Sequence, residues 1–482
     1  MELHNASEDN SGTSHVNQPD FKSLKEMFYD SLREKNIENI VFLVEEHSID
    51  VNMVFEGSYV APEYRSWTAL HVACIKGQHA MVCKLLQIGA NPKIVDKKGE
   101  TPLHVVCKHG HSSCIKILLD YDSTLKDMQN KQGLTPLCKA LYRLETPFKE
   151  KQYYTTVSLL INAGCDVNLS PVTNMTPLHL VAQKWSNSRV IAKLIKAGAD
   201  ANAKTSNSSP LMSALCRQRV HQPTVSLLIN AGADVNYKNP NGKSVLHVAV
   251  SKSEDICVKQ LLAAGADANV VDSDGNSPLW IAVSENNITI TPLLLEYGGN
   301  VNFTNRRNMS LLCIAVKNKN KKIARILLAH NADVDRATTN GEVALHFAVL
   351  NSDIEMVKLL LKKNCCLDSI LEIPYVCEEQ NAFDIAMGHC DERLMKLLLQ
   401  AGFPIDNFTL RSVQSDLKDK EDLVDWILNF VHTPRPLMHI CRVHLRKTCG
   451  TDLARIVEAL LLNRTIPTVL ASSILMEDLL GD

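Results

Sequence analysis

A short phrase that recurs about every 33 residues constrains this 482-residue chain more than any other feature. The phrase starts with Thr or Ser and continues with Pro, Leu, His and an apolar residue before Ala. Five of the nine steps between successive starts are 33 residues, and the others are 34, 35, 38 and 41. The copies start at the following residues: Thr68, Thr101, Thr135, Thr176, Ser209, Ser244, Ser277, Ser310, Val343 and Asn381. A period of this length indicates stacked units that bury one another's faces rather than three globular domains.

Each repeat carries the start and stop signals of two helices. Thr or Ser at the first position can accept hydrogen bonds from free helix N–H groups, and Pro suits the first helical position. A second apolar stripe follows about a dozen residues later, as in Val82, Leu85 and Leu86. Ala163-Gly164 and similar pairs then mark a helix end, because Gly adopts the left-handed conformation there. Each unit is therefore predicted to be helix, turn, helix and hairpin.

The phrase resembles the T-P-L-H-x-A signature of the ankyrin repeat. The resemblance implies that residues 21–406 form an all-α ankyrin-repeat solenoid, with an amino-terminal cap and about ten repeats. Residues 1–20 are polar and are expected to be a disordered leader. The fourth position of the phrase holds the histidines that the resemblance expects to brace adjacent hairpins through hydrogen bonds: His71, His104, His179, His247 and His346.

Two groups of residues imitate metal sites. The first, with spacings that match no zinc finger, consists of His104, Cys107, His109, His111 and Cys114. The second opens like a calcium loop at Asp272 and Asp274, but Ser277 and Val283 replace the glycine and glutamate that such a loop needs. We expect both groups to be structural and predict no bound metal.

No catalytic motif is present in the sequence. The chain lacks the glycine-rich nucleotide loops, the serine-hydrolase elbow and the H-E-x-x-H zinc motif. Cys365 and Cys366 lack a paired histidine motif and are interpreted as ordinary thiols. We therefore expect neither a cofactor nor an enzymatic activity.

Charge and hydropathy limit the possible partners and location. The 51 basic and 53 acidic residues nearly cancel, so no overall positive field favours nucleic acid or a membrane surface. The sequence has no apolar run long enough to span a membrane, and its polar start does not resemble a secretion signal. Fifteen cysteines in such a chain are expected to be reduced thiols. We predict that the protein is cytoplasmic, with the nucleus as a second location.

The repeat stops after Asp406. Residues 407–433 contain an amphipathic helix around Leu423–Phe430 that is expected to cap the last repeat. In residues 434–482, Pro436 suits a helix start, and Leu437, Cys441 and Leu445 fall on one helical face.

This spacing resembles the elongin-binding box, which is Pro or a small residue, Leu, three residues, Cys, three residues and an aliphatic residue. Two further helical stretches, 453–462 and 469–480, complete a pattern similar to the three-helix SOCS box, named for suppressors of cytokine signalling. The chain thus resembles the ankyrin-repeat and SOCS-box family.

The resemblance implies a substrate-recognition subunit of an elongin B/C–cullin–RING ubiquitin ligase. Leu437 and Cys441 would enter a pocket on elongin C, with Leu445 supporting the helix face. Ile466 and Pro467 would contact cullin-5, which would bring a RING protein. The usual cullin-5 segment reads Leu-Pro-aliphatic-Pro, and this chain keeps only one of the two prolines. Cullin-2 is therefore an alternative partner. The alternatives are that residues 434–482 are a longer cap and that the chain is an ankyrin scaffold without a ligase.

The irregular steps indicate where a protein substrate could bind. Aromatic residues among charges suit an interaction surface, and those in the 41-residue step are Tyr142, Phe148, Tyr153 and Tyr154. Trp185 is a further candidate, because it stands where a small linker residue is usual. The hairpin tips carry a second candidate, a basic stripe made of Lys97, Lys98, Lys131, Lys204, Lys238, Arg306 and Arg307. These charges are either a solvated edge or a stripe for an acidic partner.

Overall fold

The computed structural model describes residues 21–56, 60–142, 150–171, 174–184, 188–372, 379–405, 407–417 and 419–432. The chain divides into two compact units, residues 1–233 and residues 234–482. Both units consist almost entirely of short helices in the described ranges, which confirms the predicted all-α array of helical repeats. The predicted leader and the SOCS-box-like segment lie outside the described residues.

The first unit contains twelve described helices in chain order. They are α1 Phe21–Glu34, α2 Ile37–Glu45, α3 Ala69–Ile75, α4 His79–Gln87, α5 Pro102–His109, α6 Ser112–Tyr121, α7 Pro136–Tyr142, α8 Glu150–Asn162, α9 Pro177–Lys184, α10 Ser188–Lys196, α11 Pro210–Leu215 and α12 Gln222–Asn230. Short 3-10 turns lie at Pro62–Tyr64 and Ser123–Asp127. Helices α1 and α2 form the predicted cap, whose core includes Phe28, Leu32, Ile40 and Phe55.

The second unit repeats the same pattern. Its helices are α13 Val245–Ser251, α14 Asp255–Ala263, α15 Pro278–Ser284, α16 Ile290–Glu296, α17 Leu311–Lys317, α18 Lys321–Ala329, α19 Ala344–Leu350, α20 Ile354–Lys362, α21 Ala382–Gly388, α22 Glu392–Ala401, α23 Asn407–Asp416 and α24 Glu421–His432. Strand β1 (Leu371–Glu372) pairs antiparallel with β2 (Glu379–Gln380) at the 38-residue step.

In each repeat an inner helix follows the phrase and an outer helix packs behind it. Thr101 caps α5 by accepting from the His104 backbone N–H, and Ser310 caps α17 in the same way through Cys313. Most outer helices end at left-handed glycines, such as Gly164 and Gly265 with φ of 72° and 89°, and α18 and α20 end at left-handed asparagines. Neighbouring inner helices pack side by side, so their buried faces form one continuous core within each unit.

Residues 407–433 contain two helices where the sequence predicted one. Helix α24 is the predicted capping helix, and Leu423 and Ile427 are its buried residues. Helix α23 was missed because its sequence is polar overall, yet Val413 and Leu417, one turn apart, are buried. Helix α23 contacts both α21 and α24, so the two helices together cover the last repeat.

Candidate protein-binding surface

The template histidines join each inner helix to the following hairpin. The Thr68 backbone N–H donates to Nδ1 of His71, so the ring proton lies on Nε2, which donates to the Glu100 carbonyl at 3.0 Å. His104 makes the same bridge to the Leu134 carbonyl at 2.9 Å. The predicted bracing role is therefore confirmed for these residues.

The bracing pattern extends to the second unit and has one exception. Nε2 of His247 lies 3.0 Å from the Asn276 carbonyl oxygen, and His346 makes an equivalent 3.0 Å contact with Ser369. His179 keeps the Nδ1 contact with its helix cap, and the Ser208 carbonyl, which is the equivalent acceptor, partly offsets the lowering of its pKa by burial without a hydrogen bond of the same close geometry. At Trp280 the histidine is replaced by an indole, whose ring packs edge-on against Phe303 with centroids 6.3 Å apart.

Asp and Asn side chains fix the hairpin turns. Oδ1 of Asp272 accepts from the backbone N–H groups of Asp274 and Asn276 at 3.0 and 2.9 Å. Oδ1 of Asn305 accepts in the same way from Arg307 and Met309, both at 3.0 Å. The carboxylate of Asp272 thus has a structural role in the turn, which explains the sequence that imitates a calcium loop.

The hairpin tips of the second unit are stacked on one another by hydrogen bonds. The backbone N–H of Ser273 donates to the Asn241 carbonyl at 3.2 Å, and that of Thr339 donates to the Arg307 carbonyl at 3.2 Å. The guanidinium of Arg306 donates to the carbonyl of Ser273. The tips therefore form a row in which exposed lysine and arginine side chains occupy fixed places.

Three inner helices of the second unit expose a strip of apolar side chains, whereas Phe347 on α19 and Ile385 on α21 are buried at the same position. Val248, Ile281 and Ile314 occupy the fifth position of the repeat phrase on α13, α15 and α17, and each is half-buried. Residues three and four positions later lie on the same helical face and are exposed, as Ser251 and Lys252 are. The side chain at the fifth position therefore lies on the solvent-facing side of these three helices.

The equivalent face of the first unit is more enclosed. Val72, Val105 and Leu180 hold the fifth position there and are at most 2% exposed. Lys139, the residue at this position on α7, forms an ion pair with Glu100 of the preceding hairpin. The side chains of this pair are only 14% and 5% exposed.

The predicted substrate residues fall into different environments. Tyr142 is half-buried, and Nζ of Lys184 lies 5.0 Å from the centre of its ring. Burial also raises the pKa of Tyr142 above its usual value. Tyr154 is half-buried on α8. Both residues remain candidates for a partner contact.

The prediction that Tyr153 lies on the partner-binding surface is wrong. Its side chain is 4% exposed, and its hydroxyl donates to the Lys108 carbonyl at 3.4 Å. Gln152 donates to the carbonyls of His109 and Gly110, so these two residues of α8 together satisfy the end of α5. The register of α8 therefore turns Tyr153 into the core, although its sequence neighbours are charged.

The remaining predicted site residues cannot be placed. Phe148 and Trp185 lie outside the described residues. The predicted elongin- and cullin-binding residues also lie outside them: Leu437, Cys441, Leu445, Ile466 and Pro467. Their roles stay predictions.

The titratable groups of the repeats are perturbed chiefly by burial. Desolvation lowers the pKa of His71 to about 4 and raises the pKa of the Cys107 thiol well above its usual value. Within the described ranges, no three His, Cys, Asp or Glu side chains gather closely enough to hold a metal ion. His111 of the metal-like cluster instead contacts the Ile75 carbonyl through Nε2 at 3.0 Å. None of the described helices has the length and apolar character needed to cross a membrane.

Comparison with known proteins identifies the repeats. The family profile described as "Ankyrin repeats (3 copies)" matches overlapping segments over more than half of the chain, namely residues 70–169, 148–239, 178–272, 219–305, 246–338, 289–370 and 312–409. Tyrosine-protein kinase HTK16 of Hydra vulgaris is 38% identical over 78 residues, which are 16% of this chain and 10% of the kinase.

Two further relatives match equally short parts of their own length. Rabankyrin-5 of Mus musculus is 28% identical over 147 residues, which cover 25% of this chain and 13% of that protein. The B-cell lymphoma 3 protein homolog of Mus musculus is 35% identical over 104 residues, 21% of each protein. The chain thus spans about a fifth or less of the length of these three relatives. With its repeats matched from residue 70 to residue 409, the chain belongs to the ankyrin-repeat family and is a protein-interaction protein.

Proposed function

We propose that the chain is a non-catalytic substrate receptor of an elongin B/C–cullin–RING ubiquitin ligase. The observation that carries the proposal is the box Pro436-Leu437-(x3)-Cys441-(x3)-Leu445, which follows the repeat array and its two covering helices. In this proposal the array selects a protein substrate, and the box binds elongin C through Leu437, Cys441 and Leu445. Ile466 and Pro467 are the proposed cullin contacts, with cullin-5 favoured and cullin-2 as the alternative.

The end of the array supports a separate task for residues 434–482. Helices α23 and α24 already cover the last repeat, with Val413, Leu417, Leu423 and Ile427 as their buried residues. A terminal repeat needs such a cover to shield its apolar face. Since the cover is present before residue 433, the array does not need the box as a longer cap.

The proposed mechanism is proximity. A receptor that holds substrate lysines near a ubiquitin-loaded enzyme raises their effective concentration and contributes no chemical group. All twelve described cysteines are free thiols, which agrees with the reducing cytoplasm or nucleus, where we propose that the chain acts.

Affinity purification of the full chain tests the proposal. Elongins B and C should copurify with the wild-type chain and be lost with Leu437→Ala/Cys441→Ala, because burying one Leu side chain contributes about 1.5–3 kcal/mol. Arg442→Ala/Lys447→Ala, which changes residues off the predicted contact face, is the matched control and should retain both elongins. Probing the same eluates for cullin-5 and cullin-2 identifies the cullin.

Two results would defeat the proposal. Absence of both elongins from the wild-type eluate would favour a scaffold without a ligase. Retention of the elongins by Leu437→Ala/Cys441→Ala would show that these two side chains are not the contact.

A further inference from the structure

The hairpin tips of the second unit carry cations that form no ion pair within the described residues. Lys243, Arg306 and Arg307 are exposed, and among the described residues no ion pair involves any of them. Asp274 is the acidic side chain of the neighbouring tip, while the carboxylate of Asp272 is buried and bonded to backbone N–H groups. At these tips the three exposed cations outnumber the exposed carboxylate of Asp274, which gives the row a local excess of positive charge.

An apolar strip runs beside these tips. Val248, Ile281 and Ile314 lie four residues after the helix caps Ser244, Ser277 and Ser310, that is, about one helical turn below the hairpins. Single exposed apolar residues are ordinary on a protein surface. Here the same position on three helices packed side by side gives adjacent apolar side chains, which is typical of a binding surface.

The first unit does not combine these features. Its tips carry Lys97, Lys98 and Lys131, but Val105 and Leu180 are buried at the strip position and Lys139 is paired with Glu100. Val95 is exposed beside these lysines, but a partner would meet no accessible apolar side chain at Val105 or Leu180. In the described chain, the second unit therefore combines exposed tip cations with half-buried apolar side chains at the fifth position of neighbouring helices.

We infer that the array recruits its substrate through an extended, acidic segment with apolar side chains, and that this segment docks on the second unit. The surface, named the basic-apolar face, consists of Lys243, Val248, Ile281, Arg306, Arg307 and Ile314. Carboxylates of the segment pair with the tips, and its apolar side chains cover the strip. The inference rests on the proposed function, in which the array binds a protein substrate.

A protein segment fits this surface better than a nucleic acid does. Phosphate contacts would use Arg306, Arg307 and Lys243, but a sugar-phosphate backbone would leave the branched side chains of Ile281 and Ile314 uncovered. An extended peptide presents side chains alternately on its two sides, so one side can carry both carboxylates and apolar groups. Charge complementarity would then set the encounter rate and the apolar strip would slow dissociation.

Peptide arrays and fluorescence anisotropy with the full chain test the inference. The array contains short synthetic peptides of Asp, Glu, Leu and Ser, beside peptides in which Lys and Arg replace the acidic residues. The best acidic peptide is then titrated at low ionic strength against the wild type, Arg306→Glu/Arg307→Glu and Ile314→Thr. The matched control is Lys322→Glu/Arg325→Glu, the same charge change at exposed residues of outer helix α18.

We expect acidic peptides with Leu to bind best, and Arg306→Glu/Arg307→Glu to raise their Kd at least about tenfold. Ile314→Thr should raise the Kd about threefold, and the α18 control should change it less than twofold. The inference is overturned if no acidic peptide binds above the basic peptides or if the α18 control loses as much affinity. Binding of a single-stranded oligonucleotide as tightly as the best peptide would also overturn the inference.

The same variants separate this inference from the proposed function. Arg306→Glu/Arg307→Glu should still copurify elongins B and C, because the two substituted residues are far from the box in sequence. Loss of peptide binding with elongins retained supports both conclusions. Peptide binding by the wild-type chain without elongin capture would leave the basic-apolar face valid and defeat the ligase assignment alone.

Discussion

Nε2 of His71 donates a hydrogen bond of 3.0 Å to the carbonyl oxygen of Glu100, which belongs to the following hairpin, and the histidine ring is completely buried. Nδ1 of the same ring accepts from the Thr68 N–H, so a second ring proton would break that contact. This bridge joins one repeat to the next, as its counterparts at His104, His247 and His346 also do.

The stability of the array should fall as the pH drops from about 6.5 to about 4. Burial lowers the pKa of His71 from 6.5 to about 4 in the folded chain, so between these values the unfolded chain binds a proton that the folded chain does not. His71 alone accounts for a loss of about 3 kcal/mol over this window and for none above it. Urea unfolding at a series of pH values measures the slope. His71→Gln should reduce the slope by about one proton, and an unchanged slope would contradict the buried neutral imidazole.

Replacing one partner of the Lys139–Glu100 ion pair should lower the free energy of unfolding more than replacing both partners does. Lys139→Met leaves the buried Glu100 carboxylate unpaired and should lower the free energy of unfolding by about 3 kcal/mol. Lys139→Met/Glu100→Gln should be less destabilised than Lys139→Met. Lys358→Met breaks an exposed pair with Glu355 on α20 and should cost less than about 1 kcal/mol. Additive effects in the double-mutant cycle would refute the coupling.

Lys319 occupies a left-handed position, with φ of 59°, between α17 and α18. Gly77 and Gly110 hold the equivalent position in the first unit. Lys319→Gly should raise the free energy of unfolding by about 0.5 to 1 kcal/mol, because the left-handed conformation strains residues with a Cβ. Gly77→Ala should lower it by at least about 1 kcal/mol, since the new Cβ would lie 2.6 Å from Nδ1 of His111. Thermal unfolding that shows the opposite order would contradict this account of the turns.

Tyr142 and Tyr153 should differ in their contribution to stability. Tyr153→Ala empties a buried position under the end of α5 and should cost about 3 kcal/mol. Tyr142→Ala removes a half-buried ring and should cost about 1 kcal/mol. Chemical unfolding of the two variants, measured side by side, checks the assignment. Equal losses would mean that both rings have the same environment.

The repeat arithmetic predicts the main features of the fold because local physics determines them. The helix cap at Thr101, the left-handed Gly164 and the bracing of His104 each follow from a residue type at a fixed position. Helix α23 could not be predicted in this way, since Val413 within it and Leu417 directly after it are buried in a polar segment that has no repeat phrase.

The surface is harder to predict because exposure depends on neighbours in space. Val105 and Ile281 hold the same template position, yet Val105 is 2% exposed and Ile281 is half-buried. Tyr153 and Tyr154 are neighbours in the same charged stretch of sequence, yet the register of α8 buries Tyr153 and leaves Tyr154 half-buried. The one available signal for the basic-apolar face was the run of branched apolar residues at the fifth position between Val248 and Ile314, next to basic tips.

Calorimetric titration of the purified full chain with purified elongin B/C tests the central claim most directly. The account predicts saturable binding at one site per chain for the wild type, and at least about tenfold weaker binding for Leu437→Ala. Arg442→Ala should bind like the wild type. A wild-type chain that releases no binding heat at any temperature tried and does not comigrate with elongin B/C on gel filtration would contradict the receptor assignment.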